Sequence, residues 1–221
     1  LKTMTASLTP LVLIGALIMA TNTAEAQSRK AANQKNSDLL APIIEVGPTR
    51  AITSIAEAAK LAKDNSIIFI DPGVYKQCAI WKQNNLSIHG LSDASGPVIF
   101  QDKTCGGKAI FVIRGRNVTV SNITFKNARV AHRNGAGIRA EGGDLTVKNS
   151  AFINNENGIL TISQNDGKLV VEKSYFERNG ASKTGQTHGI YTGRWSELIV
   201  RDSTFLLTHI GHHVKSRAQL T

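Results

Sequence analysis

Four segments of this chain share one short pattern and recur at intervals of 27, 24 and 29 residues. Each pattern has an aliphatic residue, a Val two positions later and a Phe seven positions after the first residue. The segments begin and end at Val118 and Phe125, Leu145 and Phe152, Leu169 and Phe176, and Leu198 and Phe205. A period of this length, with strand-forming residues and no interposed helix, is typical of a solenoid built from β-strand rungs.

A second strand element alternates with the first one. Its members are the pairs Gly137-Ile138, Gly158-Ile159, Gly189-Ile190 and His213-Val214. A single rung cannot bury its own aliphatic side chains, whereas rungs stacked about 4.8 Å apart place Val on Val and Phe on Phe. Leucine-rich repeats lack this pattern, and propeller blades need about 40 residues or more. We also expect Asn127, Asn154 and Asn179, just past each Phe, to form a ladder of amides.

A helix precedes the repeats. Residues 54–57 have the hydroxyl and carboxylate spacing of a capping box, and apolar residues at helical spacing follow as far as Ala62. We expect this helix to end near Asp64-Asn65, a strand over 66–70, a turn at 71–73 and an extended segment from Val74.

This order of elements resembles a known superfamily. The helix, the sequence IIFIDPGVY at 67–75 and repeats ending in Ser-x-Phe resemble the right-handed parallel β-helix proteins of the pectate-lyase-like superfamily, over residues 52–221. The resemblance implies an all-β fold for residues 42–221, with the N-terminal helix covering the first rung. Because no cap follows a last strand predicted at 213–217, we expect a truncated C-terminus with further rungs beyond it; a partner or fraying at the last rung is the alternative.

The first 41 residues carry a different pattern. Lys2, the 13-residue apolar run Leu8 to Ala20 and the small residues at Ala24 and Ala26 predict a signal peptide over 1–26. The run is short for a spanning helix, which needs about 20 residues, although an N-terminal anchor is the alternative. Residues 27–41 are polar and aperiodic, so we predict a flexible leader. The protein is then periplasmic or secreted, with no membrane insertion after signal removal.

The predicted export bears on how the cysteines and the net charge are interpreted. An oxidising compartment favours a disulfide between Cys78 and Cys105, the two cysteines of the chain, with buried thiols as the alternative. The net charge of +10 in an exported protein predicts an acidic polysaccharide as partner rather than a nucleic acid. A hydrophobic content of 41% argues against a protein with many membrane spans. No pattern indicates the oligomeric state.

Strand alternation groups several polar side chains on one outward face. The second strand element predicts three outward columns, namely Arg139, Leu160, Tyr191 and Lys215; then Glu141, Ile162, Gly193 and Arg217; then Ala136, Asn157, His188 and His212. The groups that we predict to bind substrate are Arg139, His188, Tyr191, His212 and Arg217, around Lys215 as the catalytic residue. Tyrosine offers a stacking face, and lysine and arginine bind carboxylates. A lysine among other cations loses its proton more readily, which suits a base in β-elimination on a uronate.

A second resemblance concerns the last strand. Residues 211–217, GHHVKSR, are similar to the Lys-Ser strand of the alginate lyase and chondroitinase B group. That resemblance implies Lys215 as Brønsted base, an Arg from a later rung as acid, and calcium as an assisting ion in many members. Only Lys215-Ser216 matches by position. No carboxylates for calcium and no other cofactor are evident, so calcium rests on the resemblance alone.

Four other interpretations of these residues stay open. Outward Lys, Arg and Tyr side chains are commonly just a solvated face. His209, His212 and His213 could bind a metal, although neighbouring residues on a strand point to opposite faces. Glu141 and Glu156 could form a hydrolase pair. Finally, the basic face could belong to a non-catalytic carbohydrate-binding or cell-surface protein, or to a uronate-polymer epimerase.

Overall fold

The computed structural model describes residues 41–163, 166–180 and 187–221. The predicted signal peptide at 1–26 and all but the last residue of the predicted leader at 27–41 lie outside the described residues. The described residues of the compact unit from Pro42 to Thr221 form one short helix and nineteen short strands.

The helix is α1 (Ile55–Leu61). The strands are, in chain order, β1 (Ile43–Val46), β2 (Ile67–Ile70), β3 (Gly73–Tyr75), β4 (Ala79–Trp81), β5 (Ser87–Gly90), β6 (Val98–Gln101), β7 (Ala109–Ile113), β8 (Val118–Ser121), β9 (Ile123–Lys126), β10 (Ala136–Ala140), β11 (Leu145–Lys148), β12 (Ala151–Ile153), β13 (Asn157–Thr161), β14 (Lys168–Glu172), β15 (Tyr175–Glu177), β16 (Ile190–Thr192), β17 (Glu197–Arg201), β18 (Thr204–Leu206) and β19 (Val214–Ser216).

These strands form three parallel sheets, and each sheet takes one strand from successive rungs. The first sheet has seven strands in the order β1-β2-β5-β8-β11-β14-β17. The second runs β3-β6-β9-β12-β15-β18, and the third, which we call the groove sheet, runs β4-β7-β10-β13-β16-β19. All pairings between strands are parallel, and equivalent repeat positions face each other, as for Leu145 with Leu169. The predicted all-β parallel solenoid is confirmed.

One aromatic column runs through the interior. The strand partners Phe125, Phe152, Phe176 and Phe205 stack with ring centroids 5.2, 4.8 and 4.6 Å apart. The first three of these side chains are at most 2% exposed. The Phe stacking predicted from the repeat is therefore confirmed, and burial of this apolar column stabilises every rung against the next.

Helix α1 covers the first rung of the solenoid. The Ser54 hydroxyl accepts the Glu57 N–H at 3.4 Å, as the capping-box spacing predicts. The buried face of the helix, Ile55, Ala58 and Ala59, joins the interior cluster. The helix ends at Leu61, earlier than predicted from the sequence.

Asparagines in left-handed backbone form ladders at the corners, where the chain turns between sheets. Asn154 donates to Asn127 Oδ1 at 2.8 Å, as predicted. The predicted third member is wrong, because the amide of Asn179 lies beside that of Asn155, with Asn155 Nδ2 donating to Asn179 Oδ1 at 3.2 Å. Two adjacent asparagines at one corner make the alignment ambiguous by one residue, and burial decides it: Asn155 and Asn179 are buried, whereas Asn154 is half-buried.

The predicted disulfide is confirmed. Cys78 and Cys105 are bonded, with 27 residues of sequence separation and their Cα atoms 5.6 Å apart. The bond joins the segment that enters β4 to the loop that enters β7, on the first two strands of the groove sheet.

Candidate functional site

The groove sheet carries one outward column of side chains along its whole height. The register pairs Arg139 with Leu160, Leu160 with Tyr191 and Tyr191 with Lys215. The structure therefore places these four residues in the order predicted from strand alternation. Val112 precedes Arg139 in the same column, on β7.

Tyr191 is the centre of a small cluster of cations. The Lys215 Nζ lies 5.3 Å from the centroid of the Tyr191 ring, and the Arg217 Cζ lies 5.8 Å from it. Both distances are within the range in which a cation is attracted to an aromatic face. The rings of His188 and Tyr191 are 5.6 Å apart. The cluster thus combines an aromatic face with two cations, as the sequence predicted.

His188 is the buried member of the cluster. It is 1% exposed, and its Nδ1 accepts the N–H of His212 at 3.0 Å. The ring proton of the neutral imidazole therefore lies on Nε2. Burial, followed by the nearby Lys215 and His212, lowers the pKa of His188 from 6.5 to about 4. Consequently the side chain is neutral at pH 7 and can donate one hydrogen bond.

The cluster lines an open groove of about 450 Å³. The residues that line it are Asn134, Arg139, Leu160, Thr161, Ser163, His188, Tyr191, Lys215 and Arg217. No carboxylate is among these lining residues, and calcium prefers carboxylate and carbonyl oxygens. The described part of the groove therefore does not fit the calcium site that the family resemblance implies. Its three cationic side chains suit an anionic ligand instead.

The carboxylates singled out from the sequence have structural partners. Glu141 Oε2 accepts from Arg114 Nε at 3.0 Å, and Glu141 Oε1 binds the ammonium of Lys108. Although burial acts in the opposite direction, these two cations lower the pKa of the Glu141 carboxyl. Glu156 is buried and accepts the N–H groups of Gly135 and Val130 at 2.6 and 3.1 Å. Both carboxylates thus hold neighbouring backbone or side chains in place.

The second predicted column is only partly outward. Ile162 packs against the interior cluster, whereas the sequence predicted that it points outward between Glu141 and Gly193. Strand β13 ends at Thr161, so the alternation that carried the prediction no longer applies at the next residue. Arg217, one residue beyond β19, nevertheless reaches the ring of Tyr191.

Several lining residues were not predicted from the sequence, among them Asn134 and Lys108. Asn134 lies in the loop before β10 and lines the groove, and Lys108 lies in the loop before β7 and lines a smaller cavity above it. Residues of irregular loops follow no strand period, so no register argument could assign them to a face. The one available signal was their position immediately before a repeat strand.

The three histidines near the C-terminus do not converge. The ring centroids of His212 and His188 are 5.3 Å apart. The ring of His213 lies elsewhere: its centroid is 5.9 Å from that of Phe205, and its Nδ1 shares a 2.6 Å hydrogen bond with the Thr208 hydroxyl. Within residues 41–163, 166–180 and 187–221, no group of three His, Cys, Asp or Glu side chains is arranged to hold a metal ion. In the same residues no helix has both the length and the apolar character needed to cross a bilayer.

Several solved structures are similar to this chain. A pectin methylesterase mutant in complex with a hexasaccharide has 12% identity and a TM-score of 0.49, over 72% of this chain and 54% of that chain. Pectin methylesterase PemA from Erwinia chrysanthemi has 12% identity and a TM-score of 0.45, over 79% and 66%. The enzyme from Aspergillus niger has 11% identity and a TM-score of 0.36, over 82% and 84%. This chain therefore spans about half the length of the first and two thirds of the second.

No curated protein is significantly similar to this chain in sequence. The model of the family described as the right handed beta helix region, in contrast, matches residues 65–214. That range holds the strands from β2 to the first residue of β19, and it includes Tyr191, whereas Lys215 and Arg217 lie just beyond it. The chain belongs to the right-handed β-helix family.

Proposed function

We propose that this protein is exported and acts on an acidic polysaccharide that contains uronate residues, in the groove around Tyr191. The observation that carries the proposal is the Tyr191 ring with Lys215 and Arg217 beside it, in a groove whose described lining holds no carboxylate. A sugar ring stacks on tyrosine, and a sugar carboxylate binds lysine and arginine with charge-assisted hydrogen bonds. Neutral His188 adds one donor without adding a charge.

The reaction that we propose is β-elimination. Lys215, as its neutral amine, takes the proton from the carbon next to the uronate carboxylate, while Arg217 offsets the charge that develops on that carboxylate. The electron pair left on this carbon forms a double bond to its neighbour, and the bond from that neighbour to the glycosidic oxygen breaks. Water in the open groove gives a proton to the departing oxygen, and the ammonium of Lys215 then gives its proton to the hydroxide that is left. The products are an unsaturated sugar and a shortened chain.

A non-catalytic binding protein is the second candidate function. The Nζ of Lys215 lies 5.3 Å from the centroid of the Tyr191 ring, where an ammonium is attracted to the aromatic face. A charged lysine binds carboxylates without removing a proton. The same groove then retains the polymer and leaves it intact.

Export is part of the proposal. The disulfide between Cys78 and Cys105 is a bond that persists in oxidising compartments. The predicted signal peptide supplies the route to such a compartment. Detection of the mature protein, beginning at Gln27, in the periplasm or the medium tests this part; a protein retained in the cytoplasm contradicts it.

Incubation with polymers distinguishes the candidates. Purified protein is mixed with polygalacturonate, alginate and chondroitin sulfate, with neutral dextran as a control polymer. A lyase produces an ultraviolet-absorbing unsaturated product, an epimerase changes the sugar composition without cutting the chain, and a binding protein is only retained on the polymer. If none of the three acidic polymers retains the protein, the proposed function is wrong.

The Lys215→Ala variant tests the base. We expect it to lower lyase turnover by about 10²-fold or more, the usual contribution of general base catalysis. The matched control is Lys148→Ala, which removes an outward lysine from the seven-stranded sheet, where its ammonium lies 3.3 Å from Glu172. Normal turnover in the Lys215 variant would show that this residue is not the base.

A further inference from the structure

Arg139 shares the outward column of Lys215 but lies at a distance from it. In the groove sheet, β10 is three strands from β19, and strands lie about 4.8 Å apart, so the two backbone positions are about 14 Å apart. The Arg139 side chain is 23% exposed and lies between Val112 and Leu160 in the register. Its stem therefore rests on an apolar patch, while the charged end reaches the surface.

Within residues 41–163, 166–180 and 187–221, the guanidinium of Arg139 has no hydrogen-bond partner. Its Nε is buried without one, and Glu141 Oε1 lies 3.9 Å away, beyond hydrogen-bond distance. Glu141 is already bound by Lys108 and Arg114. A buried donor of a charged group without an acceptor is unusual in folded proteins. The Nε atom itself is closed to ligands, so a ligand carboxylate binds this guanidinium through the exposed part of the side chain.

Two cavities meet at this guanidinium. One is the groove around Tyr191, and the other is a cavity of about 270 Å³ lined by Gly106, Gly107, Lys108, His132, Asn134 and Arg139. Arg139 and Asn134 line both. Among the described residues, the lining of neither cavity includes a carboxylate. The guanidinium thus stands between two spaces that favour anions.

We propose that Arg139 forms a second anion subsite, which binds a uronate carboxylate distinct from the one at Lys215. This inference rests on the proposed function, because it assigns a uronate chain to the same groove. A pyranose chain lying along the solenoid advances by about one rung per sugar residue, with rungs about 4.8 Å apart. The carboxylates at Lys215 and Arg139 then belong to sugars three positions apart, and a tetramer is the shortest oligomer that reaches both subsites.

Calorimetric binding of oligomers of defined length tests the subsite. The probes are oligogalacturonates and oligomannuronates of two to eight residues. We expect the wild-type affinity to rise about tenfold between three and five residues, the effect of one added charged hydrogen-bond pair. The Arg139→Gln variant should lose this rise and bind dimers and trimers as the wild type does. The matched control is Arg201→Gln, an exposed arginine on the seven-stranded sheet, which should keep the rise.

Each outcome decides between the two proposals. A wild type that binds dimers and octamers equally, or an Arg139→Gln variant that weakens all lengths alike, overturns the second subsite and leaves the proposed function standing. A wild type that binds no oligomer overturns both. If Arg139→Gln does not fold, Arg139→Lys carries the test, because it keeps the charge but loses the planar fork that binds a carboxylate with two bonds. If the affinity of Arg139→Lys rises between three and five sugar residues as much as that of the wild type, the proposal of a second subsite is wrong.

Discussion

The interior aromatic column repeats one residue type from rung to rung, whereas the outward column of the groove sheet does not. Inside, successive rungs place Phe125, Phe152, Phe176 and Phe205 on top of one another. Outside, successive rungs place Val112, Arg139, Leu160, Tyr191 and Lys215 on top of one another, with no residue type repeated. An interior position meets the same neighbours in every rung, so it takes the same residue. An outward position points away from this interior, so its residue type is free to differ. Val112 and Leu160 are buried in a small apolar patch, whereas Arg139, Tyr191 and Lys215 line the groove.

The difference separates stability from recognition. Substitutions in the interior column should change the free energy of unfolding and leave the groove chemistry intact in the folded protein. Substitutions of the polar residues in the outward column, Arg139, Tyr191 and Lys215, should change binding and leave the free energy of unfolding nearly unchanged. Four predictions test this separation, from the largest expected effect to the smallest.

Phe152→Ala should lower the free energy of unfolding by about 3–5 kcal/mol, because it leaves a cavity between two stacked rings. Urea unfolding measures the loss. The control is Phe205→Ala, in the last rung of the column, where the side chain is only half-buried and the loss should be smaller. Equal losses for the two variants would contradict the idea that each ring is stabilised by both neighbours.

The double variant Cys78→Ser, Cys105→Ser should lower the free energy of unfolding by about 3 kcal/mol, because the bond closes a long loop in the unfolded chain. Thermal unfolding with and without reductant checks it. Reductant should lower the Tm of the wild type and not that of the double variant. A wild type whose Tm does not change with reductant contradicts the prediction.

The disulfide also anchors the loop that carries Lys108, so we expect the double variant to bind long oligomers with lower affinity than the wild type does.

Tyr191→Ala should weaken binding of uronate oligomers about tenfold, through loss of the stacking face and of the ring that holds Lys215 and Arg217. The free energy of unfolding should change by less than about 1 kcal/mol, since the ring is only half-buried. Tyr175→Ala, an outward tyrosine on the second sheet, is the matched control and should not change binding. A variant that binds normally but unfolds readily would reverse the assigned role.

His188→Gln should make the Tm less dependent on pH below pH 6.5. Between pH 6.5 and about 4 the unfolded chain binds a proton at His188 that the folded protein does not, so wild-type stability falls as the pH falls through this window. Glutamine can accept the His212 N–H without titrating. The measurement is Tm against pH, with the exposed His209→Gln as control. Parallel curves for wild type and His188→Gln contradict the prediction.

The elements that could be predicted from the sequence are those that repeat. The parallel solenoid, the Phe column, the order of Arg139, Tyr191 and Lys215 and the disulfide follow from the repeat period, from strand alternation and from the expected compartment. The division of the first repeat element into two strands, and hence the third sheet, was not predicted. A rung with a different register would bury the wrong face, so the repeat admits one alignment for the strands.

The corners and strand ends could not be predicted in the same way. The repeat spacing varies between 24 and 29 residues, although the paired strands keep one register from rung to rung. Asn179 therefore aligned with Asn154 in the sequence, although it bonds to Asn155. Ile162 was likewise predicted to point outward because it continues the alternation of β13. It packs inward instead, just past the end of that strand.

The sequence by itself determined that the chain coils into parallel rungs, because only stacking buries aliphatic and aromatic residues that recur at this period. It also determined which side chains share the outward column of the groove sheet. The tertiary structure alone decided that His188 is buried and neutral, that Glu141 binds Lys108 and Arg114, and that Arg139 is left without an acceptor between two cavities. Burial and charge pairing depend on loops from different rungs meeting in space, and no local pattern records where those loops meet.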